Sequence, residues 1–132
     1  MQNPSLRVLI AENQYLIAME VERILAETLA CEVTIVPLTR LESELSRSPF
    51  DVVILDAAPN DNLNTVRGRM IEAAGANPVF LSSYDQFPQS GTSRTDYPFV
   101  TKPPQPEALA DAVTQAKRQG ASSKGEGFLG DR

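Results

Sequence analysis

The chain has 132 residues, which fits one domain with a core large enough to hold without staples. It is 42% hydrophobic and 22% charged, carries a formal charge of -5 and contains no histidine. The acidic balance argues against a nucleic-acid reader, which needs a basic face for phosphates. The missing histidine excludes Ser-His and Cys-His catalytic pairs and removes the commonest zinc ligand.

A lone cysteine, Cys31, cannot form an internal disulfide, so a reducing, cytoplasmic setting is expected. Cys31 itself reads as a small apolar filler at a strand start. No apolar run approaches the roughly 20 residues of a bilayer span. The N-terminal stretch MQNPSLRVLIAEN turns acidic too soon for a signal peptide. Residues 120–132, rich in Gly and Ser, read as a flexible tail behind a domain of residues 1–119.

Taken in chain order, LRVLIA (Leu6 to Ala11) is a branched, nearly continuous apolar run, suited to a strand covered on both faces. Tyr15 to Leu29 places Leu16, Ile17, Met19, Val21, Ile24, Leu25 and Leu29 at helical spacing. EVTIVP (Glu32 to Pro37) is a second strand. Leu41, Leu45 and Phe50 mark a short helix around Thr39 to Arg47, ended by Pro49. DVVIL (Asp51 to Leu55) is the most apolar strand, and a third helix lies within Leu63 to Ala74 with Gly75 as its C-terminal cap. Val79 to Leu81 and Phe99 to Thr101 are the fourth and fifth strands. Pro106 to Lys117 makes a last helix, with Ala108, Leu109, Ala112, Val113 and Ala116 on one stripe.

Strands alternating with helices predict an α/β fold, a five-stranded parallel doubly wound sheet. Between the fourth and fifth strands the chain is rich in Ser, Gln, Asp and Gly, so the fourth helix of such a fold is expected to be short or replaced by a loop. Ligands of these sheets bind beyond the carboxyl ends of the strands. The residues there are Glu12 and Asn13, Asp56, Ser82 and Ser83, and Lys102. Carboxylates and an amide oxygen suit a hard cation such as Mg2+, and a hydroxyl with an ammonium suits phosphoryl oxygens. Asp56 is a candidate carboxylate nucleophile toward phosphorus. No glycine-rich loop follows the first strand, which disfavours a nucleotide site. Singly, each residue is more simply a cap or a solvated strand end; together, on one sheet edge, they are chemically coherent.

Four segments in this order, VLIAENQ, DVVILD, VFLSSY and FVTKPP, resemble a response-regulator receiver domain over residues 6 to 118. The fold implied is the flavodoxin or CheY-like (βα)5 arrangement. The FLSSY strand is similar to receivers that work with HWE-type histidine kinases. The resemblance implies a two-component signalling role, with Asp56 accepting a phosphoryl group from a kinase phosphohistidine. It implies Mg2+ held by Glu12, Asn13, Asp56 and the backbone carbonyl of Ala58. Ser82 takes the place of the switch hydroxyl, Lys102 contacts the phosphoryl group, Phe99 stands for the switch aromatic, and the Lys102-Pro103 bond is expected to be cis.

Such a domain catalyses only its own phosphorylation and dephosphorylation. Its implied partners are a histidine kinase or phosphotransfer protein and an unidentified downstream protein, with pairing of two copies through the last strands and helix. Neither nucleic acid nor membrane is expected as a partner. On this reading the chain is a single-domain regulator in which occupancy of Asp56 draws Ser82 inward and reshapes the segment from Tyr84 to Phe99.

Two features depart from the family pattern. Asn13 stands where an aspartate usually binds the metal, so Mg2+ is expected to bind more weakly. DAAPNDN after Asp56 is expected to alter the loop that carries the backbone ligand, with Asp61 as a compensating charge. These departures favour an alternative, a phosphorylation-independent pseudo-receiver that serves as a protein-binding module.

Overall fold

The computed structural model describes residues 6–83 and 97–117. The expected loop between the fourth and fifth strands, the domain boundary at residue 119 and the expected tail lie outside the described residues. The elements are β1 Leu6–Ala11, α1 Tyr15–Thr28, β2 Cys31–Val36, α2 Leu41–Arg47, β3 Val52–Asp56, α3 Asp61–Ala73, β4 Asn77–Ser82 and β5 Phe99–Thr101. Residues 106–117 form a further helix, α4. The single helix expected around Thr39 to Arg47 is split: a 3-10 turn, Leu38–Arg40, precedes α2.

The five strands form one parallel sheet in the order β2-β1-β3-β4-β5. Strand order reverses between β1 and β3, which opens a crevice at their carboxyl ends. Alternate strand residues feed opposite faces, as the pleat requires. Val8, Ile10, Val52, Ile54, Val79 and Leu81 pack with Val21, Ile24 and Leu25 of α1 and Leu109 and Val113 of α4. Leu9, Val53, Leu55 and Phe80 face the other way, onto Leu41 of α2 and Ile71 of α3. Each large side chain so buried contributes about 1.5–3 kcal/mol. Cys31 packs half-buried against the first of these cores, and burial pushes its thiol pKa up.

The buried stripe of α4 is Leu109, Ala112, Val113 and Ala116; Ala108, expected on it, is exposed. An alanine gives a weak periodic signal, because its one methyl is tolerated on either face. On α1 the core-facing set is Ala18, Val21, Ile24 and Leu25, while Tyr15, Leu16 and Met19 are exposed.

Helix α3 begins on Asn60, whose side chain accepts from the N–H groups of Asn62 and Leu63, and Asp61 adds an acid to the first turn. It ends on Gly75 at φ +92°, with the N–H of Gly75 on Glu72 O and that of Ala76 on Ile71 O. Those paired bonds need a left-handed residue, which explains the glycine. Among the described residues no helix is long and apolar enough to cross a membrane.

Candidate functional site

The carboxyl ends of β1, β3 and β5 bring three charged side chains together. Asp56 ends β3, Glu12 follows β1, and Lys102 follows β5. Lys102 is aligned by its backbone N–H, which donates to Ser82 O at 2.9 Å, and its bond to Pro103 is cis, as expected. Its Nζ donates to Asp56 Oδ1 at 2.8 Å, to Gln14 Oε1 at 3.1 Å and to Glu12 Oε2 at 3.3 Å. One ammonium therefore spends its three donors on three oxygens from two strand ends.

The Glu12 side chain is fully buried, that of Lys102 nearly so, and that of Asp56 is 31% exposed. Asp56 is thus the group that an incoming reagent can reach. Glu12 Oε2 also accepts the backbone N–H of Gln14 at 3.1 Å. Glu12 Oε1 lies 3.3 Å from the Lys102 nitrogen, an ion-pair distance, but makes no hydrogen bond. Burial pushes the Glu12 pKa above its ordinary value; the Gln14 N–H pulls it back, Asp56 adds to the rise and Lys102 opposes it.

The other residues singled out in the sequence lie around this trio. Ser82 ends β4 and is buried, with its hydroxyl donating to Ser83 O at 3.2 Å. Phe99 lies opposite Phe80 in the sheet register and stacks on it at 5.0 Å. Asn13 is exposed, and its Oδ1 accepts from the Leu38 N–H at 2.9 Å. It ties β1 to the 3-10 turn, with no hydrogen bond to Glu12, Asp56 or Lys102. Ala58 is held by Asn64: its N–H donates to Asn64 Oδ1 at 2.7 Å and its carbonyl accepts from Asn64 Nδ2 at 2.9 Å. Asp61 is the exposed first residue of α3.

Gln14 and Asn64 are site residues that sequence reasoning passed over. Gln14 had a signal, since it continues the ENQ turn; it stands at the N-cap of α1, where its side chain makes no capping bond and turns to Lys102 instead. Asn64 had almost none, because an asparagine in a helix reads as an exposed poor helix former. Here it is buried because it mimics a peptide group toward Ala58.

Among the described residues no three His, Cys, Asp or Glu side chains converge as a metal cluster. Two carboxylates do converge, and in that pocket the buried Glu12 Oε1 makes no hydrogen bond and faces the Lys102 ammonium at 3.3 Å. Mg2+ is commonly held by one or two carboxylates, with water and phosphate completing its shell. Glu12 and Asp56 could therefore hold it, and Ala58 O keeps a second lone pair.

The chain matches no protein-family model, and no curated protein matches it. Solved structures share its fold. One is the signal receiver domain of an HD domain-containing protein from Pseudomonas fluorescens, at TM-score 0.67 and 18% identity over 90% of this chain and 99% of that one. Another is a response regulator receiver modulated diguanylate cyclase from Pelobacter carbinolicus, at TM-score 0.67 and 18% identity, covering 90% and 97%. The response regulator PhyR from Brucella abortus gives TM-score 0.65 and 22% identity, over 93% of this chain and 52% of that chain. The protein has the α/β, flavodoxin-like fold of CheY-like signal receiver domains.

Proposed function

We propose that this chain is a receiver of two-component signalling in which Asp56 accepts a phosphoryl group. The observation that carries this reading is the Lys102 ammonium, 2.8 Å from the carboxylate of a partly exposed Asp56 at the strand-order reversal. Asp56 attacks the phosphorus of a phosphohistidine; the P–N bond breaks as the P–O bond forms, and the imidazole leaves with its electron pair. Lys102 is placed to pair with a phosphoryl oxygen, a charge-assisted contact. Mg2+ on Glu12 and Asp56 would supply positive charge against the phosphoryl oxygens. Ser82, one strand over, serves as the switch hydroxyl.

The donor is a histidine kinase or phosphotransfer protein, the HWE type being suggested by the FLSSY strand. The exposed Tyr15 and Leu16, which follow Gln14 directly, offer that donor an apolar rim beside the site. Output is binding to a downstream protein, in a cytoplasmic setting that suits the free thiol of Cys31. The turnover of such a domain is limited to its own acyl phosphate.

Intact mass after incubation with Mg2+ and acetyl phosphate tests this, beside Asp56→Asn. One added phosphoryl group, lost in the variant, is expected. Absence of an adduct with both acetyl phosphate and a phosphorylated kinase would overturn the reading. A second reading, the phosphorylation-independent binding module, is favoured by the engagement of Asn13 with Leu38.

A further inference from the structure

Asn64, Gly68 and Glu72 follow one another at four-residue steps along α3, and so lie on one stripe. The stripe begins at the functional loop, where Asn64 exchanges two hydrogen bonds with the backbone of Ala58, two residues beyond Asp56. One turn on, Gly68 is buried beneath the ring of Tyr97. A Cβ built on Gly68 would lie within 2.9 Å of three ring atoms, so any larger residue displaces the ring. A further turn on, Glu72 Oε1 accepts from the Tyr97 hydroxyl at 2.9 Å.

Tyr97 stands two residues before Phe99 on the way into β5. Its ring lies 5.9 Å from Phe80, which in turn stacks on Phe99 at 5.0 Å. Glycine inside a helix is unfavourable against alanine; here the bare backbone admits the ring. Phe99 has no hydroxyl, so the aromatic that can report its position through a hydrogen bond is Tyr97.

We infer that this stripe of α3 is a strut and Tyr97 its latch, joining the loop after Asp56 to strand β5 and to the Phe99 side chain that the strand carries. The latch is closed with the ring seated on Gly68, the arrangement of this structure; it opens when the ring withdraws and bares the helix backbone to water. Well-packed contacts switch between such states in steps rather than bending continuously. A shift of the Ala58 loop moves Asn64, the helix and the seat of Tyr97 together. The signalling use of this strut rests on reading Asp56 as the phosphoryl acceptor; the strut itself does not.

Two measurements on the full chain test it. Thermal unfolding is compared for the unsubstituted protein, Gly68→Ala, Tyr97→Ala and the double variant. Gly68→Ala is expected to lower Tm when Tyr97 is present and to raise it in the Tyr97→Ala background, where only the helix-propensity gain is left. The same sign in both backgrounds would overturn the latch. Amide NMR shifts are then compared after Asn64→Asp, which disturbs the pin on Ala58 without touching Asp56 or Lys102; Asn64→Ser serves if the first variant does not fold. Shifts at Tyr97 and Phe99 are expected with the latch intact, and their loss with Tyr97→Ala. Shifts that persist at Phe99 without the latch, or never reach it, would overturn the strut. Neither measurement needs a phosphoryl group, so failure here is distinct from failure of the phosphoacceptor reading, which the mass measurement decides.

Discussion

Lys102 is the cation that makes two neighbouring carboxylates tolerable. Glu12 and Asp56 both bond its Nζ, and the Glu12 side chain is fully buried. Lys102→Met removes that partner and leaves a buried charge uncompensated. We expect a loss of about 2 kcal/mol at neutral pH, below the range for wholly buried pairs because Asp56 is partly exposed. A lower urea midpoint with unchanged slope would report it; an unchanged midpoint would show that the pair is energetically idle.

Glu12 also gives stability a pH dependence of definite sign. Its folded pKa is raised above the ordinary 4.5, chiefly by burial. The folded state therefore holds the proton more tightly than the unfolded chain does. This contribution is full below 4.5 and is lost as pH rises through the folded pKa. Measured with chelator present, Glu12→Gln should gain on the unsubstituted protein as pH climbs from 4.5. A gain that instead shrinks over that range would refute the assignment. Asn13→Asp keeps an acceptor for Leu38 and adds a negative charge near the pocket. Mg2+ affinity by calorimetry should rise, by about 1 kcal/mol for a charge separated by solvent.

At the scale of elements, α3 does two separable jobs, divided between its N-cap Asn60 and the buried Asn64. Asn60 caps the helix, so Asn60→Ala should cost about 1 kcal/mol of stability and little else. Asn64 is buried and pins the Ala58 loop through two hydrogen bonds. Asn64→Ala should cost about 2 kcal/mol and should speed exchange of the Ala58 amide, which Asn60→Ala should leave protected. Equal effects of both on that amide would mean that the pin is simply helix stability.

The limits of α3 were only loosely legible. Its polar NDNLNTV start has no strong apolar period, so sequence reasoning set its beginning near Leu63, two residues late. The sharp end at Gly75 was readable, because a left-handed cap demands a residue without a side chain. Strand limits came within a residue or two, since branched apolar runs bounded by polar turns leave little choice. On α1 the reverse held: Leu16 and Met19 fit the helical period yet face solvent.

Across the molecule, β1 and β3 are the inner strands beside the crevice, and β2 and β5 are the edges. β1, β3 and β4 are almost wholly buried, whereas β2 is half-buried along its length and β5 has three residues. Native-state hydrogen exchange should therefore be slowest in β1, β3 and β4 and faster in both edges. An equally protected β5 would show that the Tyr97 seat on α3 holds the edge more firmly than its short ladder implies.

By itself the sequence determined the alternation of strands and helices, the strand ends on which Glu12, Asp56, Ser82 and Lys102 sit, and the acidic, histidine-free chemistry. These follow from local periodicity and from which residue types stand next to apolar runs. Only the tertiary structure decided where the side chains at those ends point. Asn13 turns to Leu38, 25 residues away, and Gln14 takes the Lys102 ammonium from 88 residues away. Tyr97 covers a glycine on a distant helix. A hydrogen bond or a ring on a bare backbone depends on what another part of the chain places opposite it, and the spacing of neighbours along the chain does not encode that.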